Sequence, residues 1–118
     1  MSALKDFEEM QVWQDAQELA VAIYDDMNGV RDFSFVDQLK RAAVSISNNI
    51  AEGSERVTST EFARFLDIAK GSTGEVRSMY RLAARLKFAS IEISNQRCET
   101  CQAISRQLGG FAKHLRSK

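Results

Sequence analysis

The sequence predicts an all-α fold: one domain over residues 1–118, built as an antiparallel up-down-up-down four-helix bundle. Three observations predict it. The 118 residues include no proline and only six glycines, too few breakers for the many turns of a sheet protein. Apolar residues recur at alternating steps of three and four in four separate stretches, the spacing of a helix with one buried face. No stretch alternates apolar and polar residues with the period of two expected of a half-buried strand. A chain that is 44% hydrophobic and 27% charged has a globular composition, and its length suits a single domain.

The first helix is predicted to start at Asp6, an N-cap with Glu9 in the matching capping position. Trp13, Ala16, Ala20, Ile23 and Met27 form its seam, widened by Val12 and Leu19, and Asn28-Gly29 is its stop. The second helix is predicted to open at Ser34, with Asp37 three residues on, and to end near Gly53. Phe35, Leu39, Ala42, Ala43, Ile46 and Ile50 make its apolar face.

The third helix has the clearest start, because Thr58-Ser59-Thr60-Glu61 fits the capping box. Phe62, Phe65, Ala69, Ser72, Val76, Met79, Ala83 and Leu86 follow as its seam. The fourth helix is predicted from Ser90, with Cys101, Ile104, Leu108, Phe111 and Leu115 along one side. Each helix can bury its stripe only against the others, so short connections lead to an antiparallel bundle.

A polar strip interrupts this pattern. Gln38, Arg41, Ser45, Asn49, Glu52 and Arg56 line one side of the second helix, roughly 115° from its apolar seam at about 100° per residue. They flank the core instead of lying opposite it. The side facing fully away holds Lys40, Val44, Ser47 and Ala51, small enough to touch a further surface. Arg41, Asn49 and Glu52 are therefore expected to have specific partners, with Glu75 matched to Arg41. The alternative is a solvated strip with pairs such as Glu52–Arg56.

The residues that carry this strip resemble a known family. QLKRAAVSISNNIAEGSER holds Gln38, Arg41, Ala42, Ser45, Ile46, Asn49, Ile50, Ala51, Glu52 and Gly53 in the pattern of the 23S rRNA intervening-sequence proteins. Gly71-Ser72, Glu75 and the stretch VWQDAQELAVAIY of the first helix also match. The family often has prolines before the second helix and between Ser-Ile and Asn. Here those places hold RDFSF and Ser47. The fourth helix matches weakly, and nothing functional is carried over to it. The resemblance implies a homo-oligomer, a ring of five subunits around a channel. It also implies kinship with the accessory proteins of diversity-generating retroelements, which bind a reverse transcriptase and nucleic acid. By that analogy Gln38, Arg41, Ser45, Asn49, Glu52, Gly53 and Glu75 hold the bundle or the ring together.

Catalysis finds little support. The single histidine, His114, lies in the last helical turn beside Lys113 and Arg116, with no partner for acid–base work. Cys98 and Cys101 are two thiols where structural zinc takes four ligands, and no strand precedes them as in a redox motif. They read as packing residues. Gly71-Ser72-Thr73-Gly74 has neither the strand nor the lysine of a phosphate loop. Close contact between helices or subunits would account for Gly71, Gly74 and Gly109-Gly110. No enzyme activity, cofactor or metal is expected.

Charge points elsewhere. Residues 1–37 carry nine acids against two bases, and the rest carry fourteen bases against seven acids. Arg77, Arg81 and Arg85 recur every four residues on the third helix, with Lys70 on the same side. Two readings stay open: the acids of the first helix neutralise this stripe, or it is free to bind RNA or DNA without reading sequence. No exposed aromatic platform for stacking bases is evident. The rival to nucleic-acid binding is a purely protein-binding oligomer that uses the apolar and small faces. No apolar run approaches the ~20 residues that span a bilayer. The opening MSALKDFEEM lacks the basic and apolar regions of a signal peptide, so a cytoplasmic location away from membranes is expected.

Overall fold

A computed structural model describes residues 6–118. The signal-peptide reading falls partly on residues 1–5, outside them. A 3-10 turn, Phe7–Glu9, precedes four helices: α1 (Gln11–Asp26), α2 (Phe33–Ser54), α3 (Ser59–Arg85) and α4 (Ile91–Arg116). α1 and α3 each lie beside α2 and α4, whereas α1 and α3 face one another across the core. Consecutive helices are therefore neighbours in an up-down-up-down bundle. The molecule is a rod of 49 × 20 × 19 Å, the long axis set by α3, which at 27 residues is about 40 Å long.

Local chemistry sets the ends. The Asp6 carboxylate accepts from the Glu8 amide at 3.0 Å, so it caps the 3-10 turn and not α1, whose N-cap is Met10, four residues later than predicted. Phe7 packs edge-on against Trp13, ring centres 5.3 Å apart, and folds the turn back onto α1. In α2 the cap is Asp32 instead of Ser34: its carboxylate accepts from the Phe35 amide at 3.1 Å. An anion there also meets the positive end of the helix dipole, an advantage that a hydroxyl lacks.

Thr58 and Ser90 cap α3 and α4 as predicted, accepting from Glu61 and Ile93 amides at 3.1 Å each. α3 ends in a Schellman turn. The Phe88 amide donates to the Ala83 carbonyl at 2.8 Å, and Lys87 to Ala84 at 3.2 Å. Lys87 takes the left-handed position at φ 63°, where glycine is usual, and Phe88 then seats edge-on against Phe35.

Ala16, Ile23, Leu39, Ile46, Leu66 and Leu108 are among the residues at the centre of one continuous core. The α3 stripe differs from the predicted one. Leu66, Thr73 and Tyr80 are buried, whereas Phe65 and Ser72 are half-buried and Leu86 is exposed. The sets 62-66-69-73-76-80-83 and 62-65-69-72-76-79-83 both obey three-four spacing. The buried face centres on the first set and keeps Met79 of the second; Thr73 and Tyr80 made the first look polar, yet both satisfy their hydroxyls inside: Thr73 donates to the Lys70 carbonyl at 2.6 Å. Cys98 and Cys101 are free and buried on α4, and burial pushes the Cys101 thiol up to about 12, which keeps it protonated and inert.

α2 ends at Ser54, near Gly53 as predicted. At Gly53 a Cβ would lie 2.7 Å from the Phe65 Cβ and 2.9 Å from the Phe62 ring. The role of the glycine is the close approach of α2 to α3.

Candidate functional site

The strip on α2 divides into an inner and an outer part. Ser45 Oγ lies 2.9 Å from Ser72 Oγ on α3. The Asn49 amide nitrogen donates to the Ser45 carbonyl at 2.8 Å and to its hydroxyl at 2.9 Å. All three residues are half-buried; the serine pair joins α2 to α3, and the Asn49 bonds close within α2. The outer part stays in water. Arg41 pairs with Asp37 at 2.9 Å, with 79% of its side chain exposed; Glu52 pairs with Arg56 at 3.1 Å; Gln38 and Glu75 are exposed. The expected Arg41–Glu75 pair is thus not made, and Arg41 and Glu52 do not turn inward. An i,i+4 partner satisfies each of them without the desolvation that an inward turn costs. The Ser45–Ser72 contact still places Arg41 and Glu75 on one outer face, about one turn from it on antiparallel helices.

The α2 side expected to touch a further surface is where α1 docks. Ser47 is 1% exposed and accepts a hydrogen bond from Gln17 of α1 at 3.0 Å. The Lys40 ammonium sits 4.5 Å over the Tyr24 ring.

A second polar cluster was missed from the sequence. Tyr80 of α3, itself fully buried, donates to Asp26 of α1 at 2.6 Å. Arg97 of α4 grips the same carboxylate with two bonds, at 2.7 and 2.9 Å. The side chains of Arg97 and Asp26 are 18% and 9% exposed. Burial first, then the bond to Asp26, pushes the Tyr80 phenol well above its ordinary value; the same carboxylate raises the Arg97 guanidinium. One signal was available: Asp25-Asp26 close the last turn of α1, where the helix dipole disfavours acids. An acid held there needs a cation.

Among the described residues, the cations of the basic stripe form no ion pair. Lys70, Arg77, Arg81 and Arg85 are exposed, and none belongs to the ion pairs among the described residues, which are Arg41–Asp37, Arg56–Glu52, Arg97–Asp26 and Arg116–Asp67. Arg81 donates instead to the Asn95 side chain at 2.7 Å. With α1 across the core from α3, its exposed acids Glu18 and Asp25 lie on the far side of the rod. Within the chain, the open choice between neutralised and free stripe resolves to free. The exposed His114 stands in the last turn of α4.

The mid-helix glycines do not mark close helix contacts. At Gly71, Gly74 and Gly110 a Cβ would meet nothing within 4 Å, and at Gly109 only the end of Lys70, at 3.6 Å.

The model of the 23S rRNA-intervening sequence protein family matches residues 8–110. The chain belongs to that family. The matched span takes in the strip, the Tyr80 cluster, the basic stripe and most of α4. A crystal structure of a protein of unknown function from the S23 ribosomal protein family, from Bacteroides thetaiotaomicron, superposes with a TM-score of 0.81 at 24% identity. The match covers 86% of this chain and 98% of that one, and it establishes the fold the two share. A search of curated proteins finds no significant match. No helix among the described residues is long and apolar enough to cross a membrane.

Proposed function

We propose that this family member is a non-enzymatic scaffold or adaptor that assembles as a ring, with five subunits, and binds RNA or DNA through its basic face without reading sequence. The observation that carries the reading is the stripe Lys70, Arg77, Arg81 and Arg85, exposed and without ionic partners. Phosphate binding grows steeply with the number of cations engaged, and a ring multiplies the stripe by its copy number. Two features support assembly. The outer strip, Gln38, Arg41 and Glu52, has little to do within the chain. The separation of acids on α1 from bases on α3 favours head-to-tail association, in which unlike surfaces meet and a ring closes. The expected kinship with retroelement accessory proteins fits this reading, as does a cytoplasmic location.

The triple variant Arg77→Glu/Arg81→Glu/Arg85→Glu should lose retention of RNA and DNA in a low-salt filter assay, and unchanged retention eliminates the reading. Light scattering with and without RNA tests the ring; a monomer counts against it.

A protein-binding module without nucleic acid is the second reading. Val21 is 71% and Tyr24 47% exposed on α1, an apolar surface that suits a protein. Failure of the wild type to retain any nucleic acid, with a protein partner still held after nuclease treatment, decides for it.

A further inference from the structure

Between α3 and α4 runs an open groove of about 510 Å³. Lys70 and Arg77 line it from α3, and Gln102, Ser105 and Arg106 from α4. Arg106 is exposed and, like Lys70 and Arg77, belongs to no ion pair among the described residues. The one acid in the lining, Asp67, is bound by Arg116, whose guanidinium holds its carboxyl below the usual range. It is therefore a satisfied anion. The groove offers cations on both walls and neutral hydrogen-bonding groups between them.

Gly71 and Gly74 lie in the same lining. A glycine inside a helix costs about 1 kcal/mol relative to alanine. At Gly53 the crowding of Phe62 and Phe65 explains the residue; at Gly71 and Gly74 a Cβ would meet nothing, so packing within the chain explains neither. What their bare backbone does is keep the space between Lys70, Arg77 and Arg106 open. Across it, Lys70 reaches over Gly109 of α4.

We propose that this groove seats the sugar–phosphate backbone of a single-stranded nucleic acid. Lys70 and Arg77 from α3 and Arg106 from α4 engage its phosphates, and Gly71 and Gly74 make room for the strand. The assignment rests on the nucleic-acid reading above and adds to it a strand type, a second helix and Arg106. No aromatic side chain lines the groove, so bases are not stacked and the phosphodiester chain is what is held. Packed helices stand about 8–10 Å apart. On this proposal a duplex is too wide to enter a cleft between two such helices and meets only the outer ends of the exposed cations, Arg81 and Arg85 included.

The test is fluorescence anisotropy on labelled oligo(U), oligo(dT) and a duplex of equal length, across a salt series. Gly71→Leu/Gly74→Leu fills the groove without altering charge, and leucine favours the helix, so the variant folds. It should weaken single-strand binding about tenfold or more while duplex binding changes less than about twofold. Arg106→Gln, which leaves the α3 stripe whole, should weaken single-strand binding about threefold or more. Removing all three groove cations should lower the salt slope for single strands by about 2. Preference for oligo(U) or oligo(dT) identifies the strand as RNA or DNA, and either supports the groove. If the filled variant binds single strands as the wild type does, the groove is overturned and the stripe stands. If the wild type binds neither strand nor duplex at low salt, both fall.

Discussion

Asp26, Tyr80 and Arg97 form a polar cluster in which Asp26 lies 54 and 71 residues from its partners. Gln38, Arg41, Ser45, Asn49 and Glu52 form another within four turns of one helix. The dispersed cluster is largely buried and joins three helices by three hydrogen bonds. The contiguous strip is mostly wet, and its ionic bonds, Arg41–Asp37 and Glu52–Arg56, close within α2 or just past its end. Proximity in sequence made the strip conspicuous and also made its bonds weak. Groups one turn apart on a helix satisfy each other on the surface, whereas a lock between helices needs partners that only the tertiary fold brings together.

That contrast breaks most visibly at Asp26. Asp26→Ala leaves the Arg97 guanidinium and the Tyr80 hydroxyl largely buried without an acceptor. Removing one member of a buried ion pair costs about 3–5 kcal/mol, and partial exposure of Arg97 puts the loss near 3 kcal/mol. Urea unfolding followed by circular dichroism measures it; a loss under about 1 kcal/mol would make the cluster no stronger than a surface pair. Tyr80→Phe sharpens the same point through pH. The folded phenol stays protonated where the unfolded one ionises, so wild-type stability falls as pH rises beyond about 10. The phenylalanine variant starts about 1 kcal/mol lower at neutral pH and lacks that part of the alkaline decline.

The next contrast sets one glycine against another. Gly53→Ala forces a methyl against the Phe65 Cβ, an atom fixed close to the α3 backbone, and overpacking of this kind costs about 1–3 kcal/mol. Gly74→Ala meets nothing and should stabilise by up to about 1 kcal/mol. Thermal melts should therefore move in opposite directions for the same substitution on adjacent helices. If both variants lose stability, Gly74 has a packing partner outside the chain.

The sequence carried what is decided within a few residues. The Thr58 and Ser90 caps, the four amphipathic stretches and the short connections are local, and bundle topology follows from them. Asp32 was missed because two plausible caps lie two residues apart, and only the Phe35 amide shows which of them it meets. The predicted α3 seam lies to one side of the true centre, with Phe62, Ala69, Val76, Met79 and Ala83 buried as expected, because Thr73 and Tyr80 hide their polar ends by bonds to Lys70 and Asp26. Gly53 lay in the recognised motif, but its reason, the Phe62 and Phe65 side chains, belongs to the next helix. Freedom of the basic stripe was undecidable from charge alone, since it depends on α1 lying across the core from α3.

The smallest expected effect is at Arg41. Exposed i,i+4 ion pairs contribute about 0.3–0.5 kcal/mol, and Arg41 and Asp37 are mostly exposed. Arg41→Ala should then shift the urea midpoint barely beyond error, with Glu75→Gln equally mild. Their value lies in a second measurement on the same samples. If the outer strip works between copies of the chain, the double variant Arg41→Ala/Glu75→Gln keeps its helicity and loses mass in light scattering at low protein concentration. If instead it lowers stability as much as Asp26→Ala does, the strip is an intrachain lock after all, and the contrast between the two clusters disappears. Unchanged mass and unchanged stability together would leave Arg41 as a solvated surface charge and shift the assembly surface elsewhere, toward Val21 and Tyr24 on α1.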